Sequence, residues 1–334
     1  MESLKENVMN SRKIKAASWK TYERYINELA KLVTEEHYKE NSFLKDKEAV
    51  QEIIETYGGS KRRVCLSVIL VILSPDKRMA PIGGVFPEET TELYKHYHEL
   101  HKQLTLDYSK KMEEQKKTDK QAENWVDWLD IVKLQRNFMN KIRREKYSKK
   151  ETLTKSQRKV LQNYLIISLY TLIKPRRLDY AEMKILSHKD YKALDIEKKK
   201  AGNYLVIKSK IKKFFAFGSG AQKNENGGDS DVFELSVPAK LNRVLQLYLK
   251  HHSEGYLLFN ARRSGEISKD GLSKTLQKIM GEAFEGKRFS ASMLRTIYLT
   301  HLHKDTPSIK EQQKLAKEMG HSPAVATLHY TKKN

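Results

Sequence analysis

SMLRTIYLTHL at residues 292–302 and MGHSPAVATLHYTKK at residues 319–333 decide how this chain is read. The first has a helical rhythm, with Leu294, Ile297 and Tyr298 available to a core and Arg295 set among them. In the second, Ser322-Pro323 reads as a helix start, serine as the cap and proline in the first helical position. His321 then stands just before a short helix, and Tyr330 falls near its far end. Arginine and histidine suit the charge of a pentacoordinate phosphate, and a tyrosine hydroxyl can form one by attacking a phosphodiester. A phenol ionises near pH ~10, so it needs local help to act at neutral pH. Tyrosine, arginine and histidine each have plain packing or surface roles, so the reading rests on the three together.

The charge balance points the same way. The chain of 334 residues carries 64 Lys+Arg against 42 Asp+Glu, a formal net charge of +22, and its isoelectric point is near 9.7. Such a chain calls for a polyanionic partner, nucleic acid first and an anionic membrane surface second. The longest apolar run, Val64 to Leu73, is too short to cross a bilayer and is broken by Ser67, so it reads as a buried helix. The opening Met1-Glu-Ser-Leu-Lys-Glu lacks the basic start and apolar stretch of a signal peptide. Cys65 is the single cysteine and has no intramolecular disulfide partner, so a reducing interior, nucleus or cytoplasm, is expected. The chain has no GxxxxGK[ST] loop and no Cys/His metal spacing, so neither a nucleotide nor a metal cofactor is expected.

The first half reads as helices. Ser18 can cap one whose apolar face is Trp19, Tyr22, Ile26, Leu29 and Val33. Ser60 caps the next after the Gly58-Gly59 break, and Pro87 opens a long one with Leu93, Tyr97, Leu100 and Leu104 on one side. The lysine-rich KKMEEQKKTDKQAE is exposed helix or link, and Asn124 opens a helix with Trp125, Leu129 and Val132 facing one way. The basic run KIRREKYSKK, residues 141–150, reads as the domain boundary, either a solvated linker or a phosphate contact or import signal. Beyond it, SQRKVLQNYLIISLYTLI is apolar on most of its circumference and belongs at the centre of a core. NYLVIKS, KKFFAFGS and VFELSVP are β-like, the last two joined by a Gly- and Asn-rich tip, and AKLNRVLQLYLKHH turns Leu241, Val244, Leu245 and Tyr248 inward.

The C-terminal segment resembles the tyrosine recombinase (phage-integrase) family, whose boxes read roughly HxLRHxxAT and LGHxxxxxTxxY. The Leu294-Arg295 pair, the Gly320-His321 pair, Thr327 and the nine-residue step from His321 to Tyr330 match. LYTLIKPRRLDYAEM resembles the family's first box, roughly TGLRxxELLxL. Aligned there, Arg176 takes the arginine position, Asp179 the acidic one and Met183 an apolar one; Arg177 is the rival and would set a tyrosine at the acidic position. PRRLDY, KQAENW and NYLV followed by FFAF are closest in wording to recombinases of large DNA viruses and eukaryotic mobile elements.

This resemblance covers residues 150 to 334 and implies a site-specific DNA recombinase or integrase. Tyr330 is then the nucleophile, with Arg176, Arg295 and His321 on the phosphate. The family's general acid is a lysine at a hairpin tip before a strand ending in proline; Lys223 is the lysine in the tip before Pro238, and Lys210 is the alternative. Many members carry histidine three residues before the second arginine, where this chain has Ser292. Serine can donate to phosphate but cannot shuttle a proton near neutral pH. The expected fold is mainly α with a small antiparallel sheet (α+β). It comprises a helical DNA-clamp domain over residues 1–148 and a catalytic domain over residues 149–334. Double-stranded DNA is the expected partner. Only residues 331–334 follow Tyr330, short of the docked tail members use between subunits, so a monomer without DNA and a tetramer on DNA are expected. Two rivals remain, a type IB topoisomerase and a non-catalytic DNA-binding protein of the same fold.

Overall fold

A computed structural model describes residues 2–14, 16–218, 232–252, 255–302, 314–316 and 318–320. The chain divides into two compact units, residues 1–113 and 114–334.

The first unit contains α1 (Glu2–Arg12), α2 (Ala16–Thr34), α3 (Lys47–Glu55), α4 (Gly59–Leu73) and α5 (Glu92–Glu113). The apolar run around Cys65 forms α4, with Cys65, Leu66, Val68, Ile69 and Ile72 buried against Ile26 and Leu29 of α2 and Tyr94 and Tyr97 of α5. Each fully buried aliphatic side chain of this kind stabilises the unit by roughly 1.5–3 kcal/mol. Three expected helix starts shift. α2 begins two residues before Ser18, because Ala16 and Ala17 are strong helix formers. α4 is capped by Gly58, not Ser60. Pro87 lies in the turn ahead of α5, where its carbonyl accepts from the Thr90 amide.

The second unit contains α6 (Asp119–Glu123), α7 (Trp128–Arg144), α8 (Lys155–Thr171), β1 (Lys184–Ser187), α9 (His188–Ala193), α10 (Ile196–Ala201), β2 (Asn203–Ile207), β3 (Lys213–Phe217), β4 (Phe233–Ser236), α11 (Ala239–Lys250), α12 (Lys269–Ala283) and α13 (Ala291–Leu302). α8 is its axis: Leu165, Ile166, Ile167, Leu169 and Tyr170 have no exposed surface, and α7, α11 and α12 pack on it. A Thr154 capping box with Gln157 fixes its first turn. The boundary expected at 148/149 is not where the compact units part. Ile142 and Tyr147, inside the basic run, are buried in this unit's core, and Lys250 and His251 bond the carbonyls of Ser148 and Tyr147. α7 also corrects its expected face. Asn124 ends α6 instead of opening α7, and the buried stripe is Trp128, Ile131, Gln135 and Ile142, while Leu129 is 60% exposed.

The fold is α+β. Among the described residues four strands run β1-β2-β3-β4 in one sheet, antiparallel along β2-β3-β4 and parallel between β1 and β2. The purely antiparallel expectation missed β1, a four-residue strand reached from β2 through α9 and α10. β3 is buried throughout because both faces are covered. Phe215 and Phe217 join the main core, whereas Phe214 and Ala216 pack with Tyr191 of α9 and with Tyr204 and Val206 of β2.

Candidate active site

Arg176 follows α8 in a short irregular segment and is fully buried. Removing a guanidinium from water is costly unless its donors are met. Its Nε donates to Asp179 Oδ2 at 2.8 Å and its Nη1 to the Glu318 carbonyl at 2.8 Å. Its charge lies 4.0 Å from the centre of the Phe217 ring and 5.7 Å from that of Phe233. The segment is pinned on both sides: Tyr170 Oη donates to the Arg177 carbonyl at 2.6 Å, and Asn203 Nδ2 to the Asp179 carbonyl at 2.9 Å. Arg177, the rival for the same role, is exposed.

Arg295 is also fully buried, fixed on α13 by Leu294 and Ile297. Its Nη2 donates to the Met319 carbonyl at 3.4 Å. The two arginines, far apart in sequence, thus donate to consecutive carbonyls of one turn. Met319 is buried with Leu299 and Leu315, and Lys174 pairs with Glu318 at 2.8 Å, which ties this turn to the arginine segment. Gly320 ends the turn at φ +70°, the left-handed conformation that glycine adopts without strain. The next residue is His321. His321, Tyr330 and Lys223 lie outside the described residues.

The sheet has two distinct ends. Asn203 pairs with Phe217 at the end that carries Arg176, and Ile207 pairs with Lys213 at the other. The β3–β4 connection, which contains Lys223, leaves from the arginine end at Gly218 and returns at Phe233. A side chain at Gly218 would meet the Lys200 carbonyl at 2.2 Å, so the strand must leave through a glycine. Lys210 sits in the β2–β3 turn at the opposite end and is exposed, and Ser292 is exposed on the first turn of α13. Tyr298 packs on Trp128 at 4.8 Å between ring centres; burial first, and Glu318 next, push its phenol up to about 12, which makes it a poor nucleophile.

Sequence reasoning did not find Phe217, Phe233, Tyr170, Asn203 or Glu318. The alternation in KKFFAF put Phe215 and Phe217 on one face, a readable hint of the ring beneath Arg176. Nothing in the sequence marks the Glu318 carbonyl as an acceptor, because every residue has one. Among the described residues no group of three or more His, Cys, Asp or Glu could hold a metal ion, and no helix is long and apolar enough to cross a membrane.

No family model and no curated protein matches the chain. Among solved structures it is similar to one titled as the crystal structure of XerA recombinase, at 12% identity and a TM-score of 0.38, over 100% of this chain and 94% of that one. A likeness that distant carries no argument about activity.

Proposed function

We propose that the protein is a tyrosine-type site-specific DNA recombinase that cuts and rejoins double-stranded DNA through a 3′-phosphotyrosyl intermediate. The observation that carries this reading is the convergence of Arg176 and Arg295, both fully buried, on carbonyls 318 and 319 of the turn leading into His321. Two buried guanidinium groups that donate to adjacent carbonyls suit neighbouring non-bridging oxygens of one phosphate, and phosphate oxygens are stronger acceptors than the carbonyls held now. The Gly320-His321 pair and the step to Tyr330 add the third phosphate ligand and the nucleophile.

In this reading the Tyr330 hydroxyl gives up its proton to solvent as its oxygen attacks the phosphorus, the bond to the 5′ oxygen breaks, and that oxygen leaves as a hydroxyl after taking a proton from the general acid. Arg176, Arg295 and His321 meet the charge that grows on the non-bridging oxygens. Rejoining reverses the step with a 5′ hydroxyl from a partner strand. The bond energy stays in the phosphotyrosine, so the cycle balances without a nucleotide or metal ion. In favour of Lys223 as the acid, its connection leaves the sheet beside Arg176, whereas the Lys210 turn lies a five-residue strand away, ~13 Å. Ser292 would supply a phosphate hydrogen bond but no proton relay. The protein would act as a monomer that assembles into a tetramer on its DNA sites, in the nucleus or cytoplasm wherever that DNA lies.

The test is strand exchange. Two duplexes carrying the site should yield joined products in the presence of a chelator and without ATP. Supercoil relaxation with no exchange would identify a topoisomerase instead, and DNA binding with no covalent adduct a non-catalytic binder.

A further inference from the structure

The β2–β3 turn reads Lys208-Ser-Lys-Ile-Lys212. All five residues are exposed, and Ile211 keeps 70% of its surface in solvent. Three cations and no carboxylate surround one exposed isoleucine, so the tip is strongly positive with a single apolar point.

The tip is also rigid. The amides of Lys208 and Ser209 both donate to the Lys212 carbonyl at 3.0 Å, and the Lys212 amide donates to Ser209 Oγ at 3.1 Å. The Lys210 carbonyl accepts from three side chains: Lys213 Nζ at 2.6 Å, Gln246 Nε2 at 2.9 Å and Asn242 Nδ2 at 3.5 Å. Lys213 is buried, and its ammonium also donates to Asn242 Oδ1 at 2.8 Å. Burial lowers its pKa, so an ammonium is kept out of water to hold one carbonyl of this turn. A loop with no task would not need such an anchor.

We propose that this turn is a preformed contact for duplex DNA, separate from the arginine site, in which Lys208 and Lys212 each meet a backbone phosphate and Ile211 seats against the minor groove between them. An apolar residue flanked by cations on a rigid tip is the pattern of side chains that enter that groove, where phosphates flank apolar sugar edges. An acidic protein surface would match the lysines but not the isoleucine. The turn lies ~13 Å along the strands from the arginine end, so this contact is distinct from the candidate active site. The proposal rests on the recombinase reading, and the experiment separates the two.

Binding of the full chain to a 5′-labelled duplex is followed by anisotropy from ~50 to ~300 mM salt, for wild type, Lys208→Ala/Lys212→Ala and Ile211→Ala. Two lost phosphate contacts should lower the slope of log K against log salt by ~1.8, which is ~60-fold at 0.1 M if the lines meet near 1 M. Ile211→Ala should weaken binding severalfold with the slope unchanged. Both variants should still form covalent adduct at saturating DNA. A wild-type slope in the double variant overturns the turn contact and leaves the recombinase reading standing. The same holds if only binding to an acidic peptide is lost, which would make the turn a protein surface. Wild-type protein without salt-dependent duplex binding overturns both.

Discussion

Arg176 and Asp179 should be energetically coupled in a way that a double-mutant cycle can measure. Arg176→Met leaves Asp179, whose side chain is only 16% exposed, without its cation, and leaves the Glu318 carbonyl without its donor. Asp179→Leu leaves a fully buried guanidinium without its counter-charge. Breaking one side of a buried pair costs roughly 3–5 kcal/mol, so each single change should destabilise the second unit by ~3 kcal/mol. The double variant replaces the pair by apolar groups, which is nearly neutral for the pair itself. It still loses the bond to Glu318 and part of the contact with Phe217, so its cost should be ~2–3 kcal/mol and the coupling ~3 kcal/mol. Two compact units need not unfold in one transition, so hydrogen exchange of α8 peptides in rising urea is the assay that reports the second unit. Under the recombinase proposal all three variants lose strand exchange, so stability is the informative readout. A double variant costing the sum of its singles, with coupling below ~0.5 kcal/mol, would refute the buried pair as the element that holds Arg176.

Other outcomes follow from the same geometry. His252 accepts from Arg263 Nη2 through Nδ1 at 2.7 Å, and burial with Arg263 lowers its pKa to about 4 from 6.5. The unfolded ring therefore takes its proton first, and stability should be full above pH ~6.5 and fall by ~2 kcal/mol toward pH ~4, discounted for partial exposure. His252→Gln should flatten that slope in pH-resolved thermal melts, and an unchanged slope would remove His252 as its source. Cys65 is buried, and burial pushes its thiol up to about 12, so Ellman's reagent should modify it only on unfolding; rapid reaction of native protein would contradict the α4 packing. Lys223→Ala should cleave ordinary duplex ~100-fold more slowly yet cleave a 5′-bridging phosphorothiolate at near wild-type rate, because a thiolate leaves unprotonated. Rescue of Lys210→Ala in place of Lys223→Ala would move the acid to the β2–β3 turn.

What could be read from the sequence depended on whether the signal was periodic or positional. α8 was legible because it is apolar on most of its circumference, α11 because its apolar spacing of three and four is clear, and β2, β3 and β4 because Val, Ile and Phe cluster there. β1 was not, since KILS is too short for a pattern and its pairing to β2 is parallel across α9 and α10. The face of α7 failed because Trp125 looks helical by spacing but precedes the helix, and the stripe beginning at Trp128 replaces it. Of the candidate site, Arg176 and Arg295 were singled out by motif, and their burial and shared turn could not be read there. The aromatic floor under Arg176 and the Glu318 and Met319 carbonyls are products of tertiary packing.

The central claim is tested most directly by trapping the covalent intermediate. Wild-type protein incubated with a suicide duplex carrying its site, then digested and mapped by mass spectrometry, should yield one DNA-linked peptide, joined through Tyr330. Tyr330→Phe should bind the same duplex with unchanged affinity and yield no adduct. An adduct that survives in Tyr330→Phe, or that maps to Tyr298 or any other residue, would contradict the account.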